Sequence, residues 1–172
     1  KRGEWRNCLD YTKRRIHACG ITCGEIPDDW YAAGAGAILM GYPVISDDIA
    51  GFVGPLAGLQ RGMTVAQHPY VATVPCDSPY LPDNLVSRLS QALEDNGTDL
   101  AVARTGDQPH PVFCLCRRTL LPGLTAFLEK GGRKIDAWYA SVKVVEVAFD
   151  ELPEAFANIN TPEELACQDK AA

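Results

Sequence analysis

The sequence lacks a hydrophobic run long enough to cross a membrane, and its first residues are too charged for a secretory signal. It also lacks a basic excess, since its 16 Lys and Arg residues face 22 Asp and Glu residues for a net charge of −6. Nucleic-acid-binding surfaces usually appear as a surplus of bases. We therefore expect a cytoplasmic protein with neither a membrane nor a nucleic-acid partner. Its 172 residues are enough for a sizeable core.

The cysteines lack the regular spacing of a disulfide framework, and their number is odd. Cys114 and Cys116 lie two apart in an apolar run, where we expect them to behave as small buried apolar residues. Cys8, Cys19 and Cys23, with His17, have two interpretations. They form either a metal-binding module, although the spacing matches no common zinc pattern, or a set of unpaired thiols.

The first forty residues differ in composition from the rest of the chain. Residues 1–23 contain six basic and two acidic residues, a net charge of +4, whereas the remainder contains ten basic and twenty acidic residues, a net charge of −10. No strand-like run comes before residues 35–40. We therefore divide the chain into an atypical N-terminal segment, residues 1–40, and an α/β domain, residues 41–172.

Apolar runs alternate with helical patterns from residue 41 onward. Strands and helices in alternation predict an α/β fold with a mostly parallel sheet covered by helices. The predicted strands lie at residues 43–46, 70–75, 100–103, 112–115 and 142–149. The predicted helices begin at residues 54, 82, 119, 133 and 161, and Gly97 is expected to end the second.

Two aspartates directly follow predicted strands. Asp47 comes after the strand at 43–46, and Asp77 after the strand at 70–75. The carboxyl ends of parallel strands form the edge where open α/β sheets bind ligands, and a carboxylate there suits Mg²⁺. The alternative is that each aspartate orders a turn or caps a helix.

Four segments, in order, resemble the molybdenum cofactor guanylyltransferases. They are GPLAG at 54–58 with Asp47 before it, VPCDSPYLP at 74–82, HPV at 110–112, and FANINTPEEL at 156–165. Together they extend from residue 42 to about residue 167. The resemblance implies a Rossmann-like fold with helices on both faces of the sheet. It further implies a nucleotidyltransferase that uses Mg²⁺ to transfer GMP from GTP to molybdopterin, with release of pyrophosphate.

The same resemblance implies roles for individual residues. Asp77 would hold Mg²⁺ and act in catalysis, and Asp47 and Asp77 would bind the guanine nucleotide. The substrate-binding residues would be Gly54, Pro55, Leu56, His110, Asn158 and Asn160. Besides GTP and molybdopterin, the implied partners are molybdoenzymes or other cofactor-biosynthesis proteins.

Several of these residues also have structural interpretations. His110 either lines the pterin side of the cleft or packs where a strand begins. Asn158 and Asn160 either reach the substrate or order a turn. Four basic residues either attract an anionic substrate or are simply solvated, namely Arg117, Arg118, Arg133 and Lys134. Trp138 and Tyr139 are expected to be core or rim aromatics.

The family's first strand and its phosphate-binding loop, of the type LAGG-x-x-x-RMGG-x-DK, are not found in residues 1–40. One hypothesis is a disturbed reading frame between about residues 12 and 40, which translation of the source DNA in all frames would test. Without such a loop we expect severe loss of activity. Two alternatives stay open: a related enzyme that uses another nucleotide, or a degenerate protein that binds molybdopterin or a partner without turnover.

Overall fold

A computed structural model describes residues 54–75, 77, 78 and 80–159. Several sequence-based predictions lie outside these residues: the strand at 43–46, Asp47, the altered reading frame, the cysteine module of residues 8–23, Asn160 and the helix after Thr161. Within the described residues, no helix is both long and apolar enough to cross a bilayer.

The described chain forms four helices and four strands, with two short 3₁₀ turns. The helices are α1 (Pro55–Val65), α2 (Leu85–Asn96), α3 (Leu121–Glu129) and α4 (Ile135–Tyr139). The strands are β1 (Tyr70–Thr73), β2 (Leu100–Thr105), β3 (Gln108–Arg117) and β4 (Val144–Ala148). The 3₁₀ turns cover Arg118–Leu120 and Pro153–Phe156. Every strand and helix predicted to begin between residues 54 and 142 is therefore present.

The four strands form one sheet in the order β1-β3-β2-β4. Strand β2 is parallel to β4, and β3 is antiparallel to both β1 and β2. Strands β1, β2 and β4 consequently run in one direction, with the reversed β3 between β1 and β2. The α/β architecture is confirmed, and the hairpin is the feature that the sequence reading did not specify. Only Gly106 and Asp107 separate β2 from β3, and so short a connection joins antiparallel strands.

Helices cover both faces of this sheet, as expected for the fold. One core lies under α2 and the Pro153–Phe156 turn, and it includes Ala101 and Ala103 of β2. The other lies under α1, α3 and α4, and it includes Leu100 and Val102. Successive residues of a strand point to opposite faces, so β2 contributes to both cores. All four of these residues are at most 1% exposed.

Local sequence signals account for the helix boundaries. In α2, Leu85, Leu89 and Leu93 recur every fourth residue and are buried along one side. Gly97 then ends the helix in the left-handed conformation, with φ of 57°, as its position predicted. Proline begins α1 and lies in the first turn of α3, where its missing N–H has no helical partner to lose.

The prediction that the strand at residues 70–75 is apolar and buried on both faces is wrong for part of its length. Strand β1 ends at Thr73, and Ala72 is exposed. In the part of the chain that the structure describes, β1 pairs with β3 on one side.

Cys114 and Cys116, by contrast, are buried as expected, and the Cys116 thiol donates to the Val71 carbonyl oxygen at 3.3 Å.

Candidate active site at the carboxyl edge of the sheet

The carboxyl ends of β1, β2 and β4 lie at one edge of the sheet because these strands share a direction. The antiparallel β3 begins at the same edge, which places His110 there. Asp77 follows the end of β1 by four residues. The sheet therefore brings Asp77 and His110 to the edge where ligands bind in open α/β folds.

The segment after β4 crosses this edge and contacts both residues. The backbone N–H of Ile159 donates to the backbone carbonyl of Asp77 at 2.8 Å. The hydroxyl of the neighbouring Ser78 donates to Oδ1 of Asn158, also at 2.8 Å. Asn158 is thus bonded directly to the loop that carries Asp77, a partnership between residues 80 positions apart.

His110 is packed and hydrogen-bonded in the structure. Its ring stacks on Phe156, with 4.6 Å between the ring centroids and 11° between the planes. Phe113 meets the same ring edge-on at 6.0 Å, and Nε2 shares a 2.8 Å hydrogen bond with the Thr105 hydroxyl. One face of the His110 ring and its Nε2 atom thus make contacts within the protein, as the packing interpretation predicted. A role in binding substrate stays a prediction.

Burial lowers the pKa of His110 from its ordinary value of 6.5, because the charged imidazolium is poorly solvated beside the phenylalanine rings. As the pH falls below about 6.5, the unfolded chain takes up a proton that the folded chain resists. We expect the free energy of unfolding to decrease as the pH is lowered from 7.5 to 5.5. Urea denaturation at a series of pH values measures this dependence.

Replacing His110 by Gln should make that decrease smaller, because the variant lacks the group whose pKa burial lowers. An equal pH dependence in the wild type and His110→Gln would contradict the assignment. The difference between the wild type and His110→Gln measures the contribution of this one ring.

Helix α1 begins at the family-like GPLAG segment. Its C-terminal end leads through residues 66–69 into the start of β1, so its N-terminal end points toward the carboxyl edge. The two ends of the helix are about 16 Å apart along its axis. Gly54 is exposed at the N-cap with φ of 84°. Leu56 is 0% exposed and packs in the core, and its contact with substrate stays a prediction. Free N–H groups at a helix start suit an anion.

Asp77 provides a hard oxygen donor at this edge. It lies in a turn and is half-buried, which leaves part of the residue accessible. In the described part of the chain, no three His, Cys, Asp or Glu side chains are grouped closely enough to hold a metal by themselves. Mg²⁺ commonly uses one or two carboxylates together with substrate phosphates. The donor present fits a Mg²⁺ ion that arrives with a nucleotide.

The basic residues considered earlier have different positions. Arg117 lies at the opposite end of β3, where its guanidinium donates to the Tyr70 hydroxyl at 2.7 Å and to Glu94 at 3.1 Å. Arg133 donates to the carbonyls of Leu128 and Gly132 at the end of α3. These two side chains bind protein groups, and Arg118 and Lys134 are exposed. Trp138 is 1% exposed and belongs to the core, as expected.

The sequence analysis assigned no individual role to two residues of the site. Ser78 was part of the metal-binding segment but received no role, and Phe156 was part of the C-terminal signature. Ser78 is 0% exposed, and Phe156 contacts both His110 and Phe113. The signal was present in the chain, since Ser78 adjoins the aspartate that was predicted to bind metal, and a serine hydroxyl that becomes buried needs a hydrogen-bond partner.

Comparison with known proteins identifies the family of the chain. The family model described as "MobA-like NTP transferase domain" matches residues 9–144. A protein of Cupriavidus necator named molybdenum cofactor guanylyltransferase is 49% identical over 130 residues, which cover 73% of this chain and 65% of the relative. A relative of the same name from Shewanella sp. strain ANA-3 is 48% identical over 124 residues, covering 72% and 63%. The chain thus spans slightly less than two thirds of the length of these relatives.

The fold is similar to that of a solved structure. It resembles molybdopterin-guanine dinucleotide biosynthesis protein A from Archaeoglobus fulgidus with a TM-score of 0.62 and 23% sequence identity. The similarity covers 76% of this chain and 68% of the other. At this identity the likeness concerns the fold.

Proposed function

Since the chain belongs to the family of MobA-like NTP transferase domains, we propose that it transfers GMP from GTP to molybdopterin and releases pyrophosphate. The observation that carries the proposal is the 49% identity to a relative named molybdenum cofactor guanylyltransferase. The arrangement at the carboxyl edge supports it, because Asp77 and His110 both contact the segment that contains Asn158.

In the proposed reaction, a terminal phosphate oxygen of molybdopterin forms a bond to the α-phosphorus of GTP, and the bond to pyrophosphate breaks. Two polyanions must approach each other, and negative charge builds up on the transferred group. Mg²⁺, when bound, relieves this repulsion and orients the phosphate oxygens. The Asp77 carboxylate would hold the ion.

The remaining groups of this chain would bind and orient the two substrates. At the start of α1, the exposed Gly54 would meet phosphate oxygens through its backbone N–H, whereas Pro55 has no N–H and sets the first helical turn. We further assign Asp47 to the nucleotide, and His110, Asn158 and Asn160 to the molybdopterin side. The dinucleotide product would pass in the cytoplasm to a molybdoenzyme or another cofactor-biosynthesis protein.

The test is calorimetric titration of the chain with GTP in the presence of Mg²⁺, with ATP, CTP and EDTA as controls. We expect binding that requires the metal and prefers GTP. Incubation with molybdopterin should then release pyrophosphate and give a dinucleotide detectable by mass spectrometry. Metal-dependent preference for CTP or ATP would instead indicate a related nucleotidyltransferase. A folded chain that binds molybdopterin but no nucleotide would indicate a degenerate binding protein.

A further inference from the structure

The loop that carries Asp77 is held by a pair of adjacent hydrogen bonds. Asp77 accepts from Ile159 through its backbone, and Ser78 donates to Asn158 through its side chain. Two consecutive residues of the loop are thus joined to two consecutive residues of the segment after β4. We call this four-residue arrangement the 77–159 clasp.

Buried apolar groups fix the clasp relative to the sheet. On the loop side, Leu81 is 1% exposed and packs in the core under α2. On the other side, Phe156 packs in the same core, and Ile159 is 3% exposed. Before the loop, Thr73 is paired with Cys114 of β3. The clasp therefore holds the backbone of Asp77 directly, four residues after the fixed end of β1.

The Ser78 hydroxyl is the side-chain contribution to this clasp. Because Ser78 is fully buried, its hydroxyl has lost its water partners, and leaving it unpaired would cost free energy. Asn158 supplies the acceptor from an exposed position. An alanine would fill nearly the same space without a polar group. The hydroxyl therefore contributes its hydrogen bond to Asn158, which orients the loop, more than it contributes to packing.

We propose that Ser78 is a positioning residue, which orients the Asp77 loop through its hydrogen bond to Asn158 and so sets where the metal-bound nucleotide is held. This inference rests on the proposed function. Groups that orient a metal ligand through hydrogen bonds typically contribute about 10- to 100-fold to metal affinity. Asn158 then acts partly through Ser78, in addition to any contact with substrate.

The experiment measures two quantities in Ser78→Ala, Asn158→Ala and the double variant. The first is the affinity for Mn²⁺ in the presence of GTP, followed by the electron paramagnetic resonance signal of free Mn²⁺. The second is the hydrogen-exchange rate of the Ile159 amide, followed by NMR. Asp77→Ala identifies the binding that depends on the carboxylate. Tyr139→Phe, which removes a hydroxyl bond to the Pro111 carbonyl on the other face of the sheet, controls for general loss of stability.

We expect each single variant to lower the Mn²⁺ affinity about tenfold, and the double variant to be no weaker than the poorer single variant. Hydrogen exchange of the Ile159 amide should be faster in both single variants than in the wild type. Asn158→Asp, which keeps an acceptor for Ser78, should restore slow exchange. Tyr139→Phe should change neither quantity.

Two different results would overturn the inference, and they are distinguishable. If the wild type binds Mn²⁺ through Asp77 and Ser78→Ala binds it equally well while folded, the positioning role is wrong and the proposed function stands. If the wild type shows no Asp77-dependent binding, the proposed function fails, and the role of Ser78 fails with it. Because Asn158 is exposed, its replacement tests the same bond even if Ser78→Ala does not fold.

Discussion

Replacing Asp77 by Asn should weaken Mg²⁺-dependent GTP binding on the order of 100-fold, equivalent to about 2.8 kcal/mol. The substitution keeps the size of the side chain and removes its charge. A neutral amide is a much poorer ligand for a hard divalent cation than a carboxylate. The backbone bond from Ile159 to Asp77 does not involve the side chain, so the loop should keep its conformation.

Calorimetry with and without Mg²⁺ separates the metal-dependent part of the affinity. Asp107→Asn is a matched control, because Asp107 is an exposed aspartate in the β2–β3 hairpin at the same edge of the sheet. It should bind nucleotide like the wild type. If Asp77→Asn retained the wild-type dependence on Mg²⁺, Asp77 would not be the metal ligand.

Replacing Phe149 by Ala should lower the free energy of unfolding by about 3–5 kcal/mol. Phe149 is 0% exposed, directly after β4. Its ring lies 5.4 Å from that of Phe156, and the Arg88 guanidinium lies 4.0 Å from its centroid. The variant therefore loses transfer free energy, leaves a cavity and loses a cation–π contact.

Thermal denaturation should show a midpoint lower by about 10 °C or more. Leu152→Ala, three residues away and exposed, should change the stability by no more than about 0.5 kcal/mol. A small effect at Phe149 would mean that the core under α2 does not depend on this ring. Because Phe156 packs between Phe149 and His110, the Phe149 variant should also loosen the segment that carries Asn158.

Much of the fold was predictable because local signals and burial agree. The α2 leucines, its terminal Gly97 and the β-branched β4 each indicated their structure from a few neighbouring residues. The direction of β3 was not predicted, because the predicted strands at 100–103 and 112–115 left a longer connection than the two residues Gly106 and Asp107 that the structure shows. The exposure of Ala72 was missed because an apolar composition does not show which residues of a strand other elements cover.

Within the candidate site, prediction was better for position than for contact. A carboxylate after a strand end is visible in the sequence, and so is its resemblance to a metal-binding segment. His110 was left with two interpretations, because its contact with Thr105 depends on the β2–β3 hairpin and its contact with Phe156 comes from a segment far along the chain. Arg117 was considered for substrate binding, but its strand places it at the opposite edge with Glu94 and Tyr70.

The sequence by itself determined the α/β class, the order of the elements and the family, because these depend on short-range patterns and on motifs in a fixed order. Only the tertiary structure decided that Ser78 meets Asn158 and that the Asp77 loop is tied to the segment after β4. Those bonds join residues about 80 positions apart, and their formation depends on strand order and core packing. No local pattern encodes such a distance.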